Sequence, residues 1–289
     1  MARPRGPGSP QPDGASFGQS VRWWPQRLGD AYAGPMTTAL LCAEDMAHFH
    51  TTGWLLLRDL IEAPLSEVQA EVGRLGAASP DVAWIDHYEM TDAGRRLART
   101  EDFTPFSELL RSILREGPLV QVASELLGEP ALLYKEKINY KLAGGAGFAP
   151  HQDKPAYPFV DQVLSVMVAI DDATIANGCL EVVDGFHGDV LAQDDRGCID
   201  AGVVEELTWA PVEMVAGDCL FFHALAPHRS GPNTSDRDRR ALFPTYNGAS
   251  EGDLRDAYYE AKREIFAASE PEDGRVRLSL IGDFQGRPA

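Results

Sequence analysis

Eight short apolar runs, each bounded by Gly, Pro, Asn or Asp, fill the chain between residues 131 and 246. They span 131–140, 148–153, 162–170, 178–183, 206–215, 218–223, 228–230 and 239–246. Runs of this length and character read as β-strands. About eight strands with turn signals between them predict an antiparallel sandwich, and the jelly roll is its natural eight-stranded form. This choice constrains the rest, because a sandwich makes neighbours of strands far apart in sequence.

The residues ahead of Pro130 have a different period. Leu40, Leu41, Met46 and Phe49 recur at helical spacing over 37–51, and Gly53 ends the helix. A short apolar strand follows at 54–58. A second amphipathic helix opens at Pro64, with Val68, Val72 and Leu75 on one face. Residues 79–104 read as mixed and loop-like. Residues 106–127 read as helix, interrupted at Gly117-Pro118 and closed by Gly128. Beyond the strands, 253–267 is helical again and 276–281 reads as a last strand. No linker separates the helical part (37–128) from the strand-rich part (131–248), so we read residues 35–289 as one domain, a β core with flanking helices. Residues 1–34, rich in Pro, Gly and Arg, read as a flexible tail, with Trp23 and Trp24 able to pin it to the body.

Charge narrows the partners. The chain carries 26 Lys+Arg against 44 Asp+Glu, a formal net charge of -18. It would repel nucleic acid and anionic membrane surfaces. No apolar run approaches the roughly 18 residues of a membrane span. Cys42, Cys179, Cys198 and Cys219 are scattered without CxxC spacing, which argues against a zinc cluster and fits a reducing cytosol. The expectation is a cytoplasmic protein acting on a small molecule; its oligomeric state cannot be read from these patterns.

The chemistry centres on Ala149-Pro150-His151-Gln152-Asp153-Lys154-Pro155. On a strand, residues i and i+2 share a face, so His151 and Asp153 would stand side by side with Gln152 turned away. An imidazole and a carboxylate are two of the three ligands of a 2-His-1-carboxylate site for non-haem Fe(II). His228, in Ala226-Pro227-His228-Arg229-Ser230, is the candidate third; His223, inside an apolar run, competes with it. A co-substrate that chelates iron and carries a free carboxylate, such as 2-oxoglutarate, needs a guanidinium. Arg239 and Arg240 both qualify, and on a strand they face opposite ways.

These segments together resemble the phytanoyl-CoA dioxygenase family of Fe(II)/2-oxoglutarate oxygenases. The likeness rests on His151-Gln152-Asp153, on His228 with Ser230 and Asn233, and on Arg239-Arg240-Ala241-Leu242-Phe243. It rests also on Asn177-Gly178-Cys179-Leu180-Glu181-Val182-Val183-Asp184-Gly185-Phe186-His187, similar to the family's NGxLxxxPGSH segment, and on Phe49-His50-Thr51-Thr52-Gly53-Trp54. It covers about residues 45 to 248; Phe186 in place of Ser is a departure in a turn.

The resemblance implies a double-stranded β-helix core with His151, Asp153 and His228 on iron. It implies that Arg239, helped by Ser230, holds the distal carboxylate of 2-oxoglutarate, and that Asn139 contacts the co-substrate near the metal. It implies a hydroxylase that consumes O2 and releases succinate and CO2. Aspartate at 153 favours hydroxylation over halogenation, since halogenases of this type leave that ligand position open.

For substrate, Lys135, Lys137, Lys141 and Lys154 cluster around the metal-binding segments of an otherwise acidic chain. They read either as a solvated strand face or as a grip on an anion. The stretch 135–141 together with 151–157 is similar to family members that hydroxylate the α-carbon of small aminophosphonates. That points to Lys137, Lys154 and Tyr157 as substrate contacts. A tailoring hydroxylase with a larger substrate, a non-catalytic binding protein of the same fold and a metal enzyme without 2-oxoglutarate are the alternatives.

Overall fold

The computed structural model describes residues 39–268, apart from 79–82, 93 and 158. The expectations for residues 1–34 and for a strand at 276–281 fall outside the described residues.

Helix α1 (Ala43–Thr52) is shorter than the periodicity predicts. Its first turn is held by Asp45, whose carboxylate accepts from the Cys42 amide at 3.0 Å. Gly53, at φ 86°, ends it with its amide on the Phe49 carbonyl. Strand β1 (Trp54–Leu57) and helix α2 (Leu65–Gly76) follow, with Val68, Val72 and Leu75 buried as the pattern predicts. Helices α3 (Glu108–Arg115) and α4 (Gly117–Leu127) divide at Gly117-Pro118, and Gly128 closes α4 at φ 73°.

Residues 79–104 depart from expectation. They contain a hairpin, β2 (Ile85–Thr91) and β3 (Gly94–Glu101), that joins the main sheet through the strand Ala131–Lys141. The apolar alternation that marks a half-buried strand is missing because His87, Glu89, Arg99 and Glu101, all polar, are buried there.

The strand-rich part supplies β4 (Ala131–Lys141), β5 (Phe148–His151), β6 (Val163–Ala169), β7 (Leu180–Val182), β8 (Ala210–Val212), β9 (Cys219–His223), β10 (His228–Ser230) and β11 (Arg239–Gly248). The strand expected over 206–215 is shorter. A helix, α5 (Ala201–Glu206), precedes it, capped by Asp200, whose carboxylate accepts from the Gly202 amide at 2.8 Å. Helix α6 (Arg255–Ala268) closes the described chain.

The strands form two antiparallel sheets, ordered β1-β9-β6-β11-β4-β3-β2 and β5-β10-β7-β8. This is the double-stranded β-helix with flanking helices. Alternation sorts the large sheet's residues. Leu164, Val166, Val168, Phe221 and Leu242 pack on the helices. Met167, Ala169, Leu220, Phe222 and Ala241 meet Leu180, Val182 and Val212 of the small sheet. Each fully buried side chain of this kind contributes roughly 1.5–3 kcal/mol. The same alternation gives the face of β4 toward the small sheet to Lys137, Asn139 and Lys141.

Candidate active site

His151 ends β5 and His228 begins β10, and the two are directly opposed across that antiparallel ladder. Their rings lie 4.2 Å apart. Each ring is aimed by a carbonyl two residues back. His151 Nδ1 lies 2.7 Å from the Ala149 oxygen, and His228 Nδ1 lies 3.1 Å from the Ala226 oxygen. A carbonyl only accepts, so the proton sits on Nδ1 and the Nε2 lone pair is left for a metal.

Asp153 arrives by a different route from the one its spacing implies. It is not on the strand. The chain leaves β5 after His151, and Asp153 adopts helical angles (φ -71°, ψ -34°) at the start of a short 3-10 turn, Lys154–Ala156. Gln152, fully buried between His151 and Asp153, anchors the bend. Its Nε2 donates to the Leu225 and Asp189 carbonyls at 2.6 and 2.9 Å, and its Oε1 accepts from the Leu191 amide at 2.8 Å. Asp153 Oδ1 then stands 3.9 Å from Nε2 of both histidines. Oδ2 accepts from Ser165 Oγ at 2.5 Å.

The three donor atoms lie within 4.8 Å of one another, the one such cluster among the described residues. Burial alone would raise the Asp153 carboxyl. His228, Lys137, Lys135 and His151 more than reverse that and hold it well below the usual carboxylate range. Burial first, and then His151, push the His228 imidazole down to about 4. A carboxylate and two imidazoles are the donor set that suits non-haem Fe(II).

A cavity opens beside this cluster. Lys137, Asn139 and Lys141 of β4 line it, as do Ser230 and Arg239. Lys141 is paired across the ladder with Arg239, and Asn139 with Ala241. Arg239 Nη2 donates to the Gly178 carbonyl at 2.8 Å. Its Nε is buried with no partner among the described residues. An orphaned guanidinium donor at a cavity wall fits a bound carboxylate. Burial pushes this guanidinium down to about 10. Ser230 Oγ lies 2.8 Å from Lys141 Nζ, and Asn139 Oδ1 accepts from Arg99 Nε at 3.0 Å.

Arg240, on the opposite face, forms a two-pronged pair with Asp171 at 2.8 and 2.7 Å. His223 accepts from the Leu225 amide and lies near His187, away from the metal cluster. Of the residues expected at the substrate, Lys137 lines the cavity, with Nζ 5.2 Å from the Phe243 ring centre. Lys154 and Tyr157 do not line it. Lys154 is half-buried in the 3-10 turn, and Tyr157 packs with Tyr134 and Tyr258 under the Lys135 ammonium, 4.2 Å from its ring centre.

One feature was not singled out from sequence. Arg99 comes from the unforeseen hairpin. Lys141 belonged to a visible cluster; the alternation of Lys135, Lys137, Asn139 and Lys141 on one strand was the signal that sets it beside Arg239.

The fold is shared with EctD from S. alaskensis, solved with 2-oxoglutarate and 5-hydroxyectoine. The TM-score is 0.66 at 22% identity, covering 75% of this chain and 80% of that one. A methylphosphonate hydroxylase from Gimesia maris is 42% identical over 258 residues, 88% of this chain and 99% of the relative. A 2-aminoethylphosphonate dioxygenase from an uncultured bacterium is 41% identical over 198 residues, 67% of this chain and 74% of the relative. With the His-Asp-His cluster, these define an Fe(II)/2-oxoglutarate-dependent dioxygenase, an enzyme whose cofactor is iron and whose co-substrates are 2-oxoglutarate and O2. The family model for phytanoyl-CoA dioxygenase (PhyH) matches residues 49–241, and the chain belongs to that family.

Proposed function

We propose that the enzyme hydroxylates a small phosphonate at the carbon bonded to phosphorus, with methylphosphonate and 2-aminoethylphosphonate as the first substrates to test. The observation that carries this is Lys137, an ammonium on the cavity wall whose field reaches Asp153. A phosphonate held there would present its α-carbon toward the metal cluster. The likeness to a methylphosphonate hydroxylase at 42% identity and to a 2-aminoethylphosphonate dioxygenase at 41% supports it.

In this reading His151, Asp153 and His228 hold iron. Bound iron and 2-oxoglutarate supply the oxidation, in which O2 is consumed, the C–H carbon gains a hydroxyl, and succinate and CO2 are released. The chain's residues do the placing. The Ala149 and Ala226 carbonyls and Ser165 aim the three ligands. Arg239 and Ser230 hold the distal carboxylate of 2-oxoglutarate, and Asn139, itself held by Arg99, contacts its metal-side end. Lys137 takes the phosphonate oxygens. Phe222 and Phe243 line the cavity and keep water from the target carbon. None of the four cysteines is in a disulfide, in keeping with a reducing, cytoplasmic location, and among the described residues no helix is long and apolar enough to cross a membrane.

The test is succinate release with Fe(II), 2-oxoglutarate and a panel of phosphonates, matched carboxylates and larger natural-product scaffolds. Turnover above the uncoupled background with a phosphonate supports the reading. Turnover only with another class overturns it.

A further inference from the structure

A row of residues crosses the large sheet beneath the candidate metal cluster. Trp54 of β1 is paired with Phe222 of β9, and Phe222 with Ser165 of β6. Directly paired residues share a face, and here it is the face toward the small sheet. Phe222 belongs with Leu180 and Val182 to the apolar cluster between the sheets, and Trp54 packs against that cluster. Two contacts tie the row to the ligands. Ser165 Oγ holds Asp153 Oδ2, and the Phe222 ring lies 4.8 Å from the His228 ring, tilted by 57°. Phe222 is 1% exposed and flanked by Trp54 and Ser165, so close packing leaves its ring no room to turn out of the cavity. Two further rings of the cavity wall lie against cations: Phe243 is 5.2 Å from Lys137 Nζ, and Phe148 is 5.7 Å from the Arg99 guanidinium carbon.

A site that oxidises unactivated C–H bonds must be kept from competing reactions, and a bound substrate does part of that work. With the cavity empty of substrate, the wall itself offers the C–H bonds. Phe222 packs on one ligand and stands beside the residue that holds another. We propose that Phe222 is a self-hydroxylation site, modified when the enzyme turns over without substrate. One aryl C–H of Phe222 becomes C–OH. One oxygen atom of O2 enters the ring, and the displaced hydrogen ends on the new phenol oxygen. The other oxygen atom enters succinate as 2-oxoglutarate loses CO2. The ring and 2-oxoglutarate each give up two electrons and O2 takes four, so no further reductant is required. The product is a tyrosine in place of the phenylalanine, a polar group on an apolar wall and a permanent record of turnover without substrate. This inference depends on the enzyme's iron and 2-oxoglutarate chemistry and not on the phosphonate reading.

The test uses the full, unaltered chain with Fe(II), 2-oxoglutarate and isotopically labelled O2, and with no other substrate, so no variant has to fold for the result to count. Succinate is followed over time, and the digested chain is read by tandem mass spectrometry. The expected result is a gain of one labelled oxygen atom at Phe222 that accumulates with succinate and is lost when 2-oxoglutarate is left out. The same peptide treated with Fe(II) and labelled O2 alone is the control for non-specific oxidation. Succinate that accumulates with Phe222 unmodified overturns the proposal. So does label on Phe243, Phe148 or Leu180 in place of Phe222, which would put another part of the wall next to the reaction. Label at Phe222 that persists without 2-oxoglutarate also overturns it, because the oxidation is then not the enzyme's own. Neither succinate nor label in the absence of substrate overturns it as well, since the cavity then protects itself when empty.

Discussion

Ser165 Oγ donates to Asp153 Oδ2 at 2.5 Å, from β6 of the large sheet to the carboxylate of the candidate metal cluster. That bond occupies one oxygen and leaves Oδ1 facing both imidazoles. Ser165→Ala frees the carboxylate to rotate or to chelate through both oxygens. Fe(II) affinity is expected to fall about 10- to 100-fold, the usual cost of losing a partner behind a ligand. Metal titration of the purified variant reads this, and an unchanged affinity would show that the serine orients nothing.

Removing a ligand is the stronger version. Asp153→Ala takes away the one carboxylate of the cluster and leaves the two imidazoles. The variant is expected to retain its fold, to lose bound iron by elemental analysis, and to release no succinate. A variant that still turned over would remove Asp153 from the ligand set.

Arg239 and Arg240 should separate cleanly. Arg240→Met breaks the half-exposed pair with Asp171 and the bond to the Gln69 carbonyl, at about 1 kcal/mol of stability. Its KM for 2-oxoglutarate should be unchanged. Arg239→Met should raise that KM with little loss of stability. The reverse pattern, read by urea unfolding and by kinetics, would exchange their roles.

For Lys137, the expected signature of Lys137→Met is a KM for the phosphonate raised by about tenfold or more. Uncoupled consumption of 2-oxoglutarate should persist. A fall in kcat with KM unchanged would place this lysine elsewhere in the reaction.

A buried ion cluster sets the acid limit of the fold. Glu101 sits with Lys262, His87 and Arg99. Burial alone would raise its carboxyl, and these three neighbours hold it well below the ordinary range. A carboxyl lowered on folding adds stability above its unfolded pKa, and that contribution is lost as pH falls toward the folded value. Urea unfolding should therefore show stability declining below about pH 4.5. Lys262→Met should cost about 3–5 kcal/mol at neutral pH, because it strips a buried carboxylate of its main partner. A loss under 1 kcal/mol would show that His87 and Arg99 suffice.

Much of the fold was legible because its strands are apolar on at least one face and end at Gly, Pro or Asp. The exceptions share a cause. The β2–β3 hairpin buries His87, Glu89, Arg99 and Glu101, so its pattern imitates a loop until the partners on α6 are known. The spacing of His151 and Asp153 puts the candidate ligand pair on one strand face; in the structure a helical turn anchored by Gln152 brings the carboxylate round instead. No local pattern reveals a turn held by carbonyls from 189 and 225. Whether Arg239 or Arg240 faces the cavity turned on sheet register, which the sequence leaves open and the pairing with Lys141 decides.

The α6 contacts carry a consequence for biosynthesis. Arg255 reaches back 119 residues to Glu136 and 153 to Asp102, and Lys262 reaches back 161 to Glu101. On the ribosome these acids emerge long before the cations that answer them. The wall of β3 and β4 that carries Arg99, Asn139 and Lys137 therefore stays electrostatically unfinished until α6 leaves the exit tunnel. The order of that wall then comes late in synthesis, after the residues up to α6 have been made.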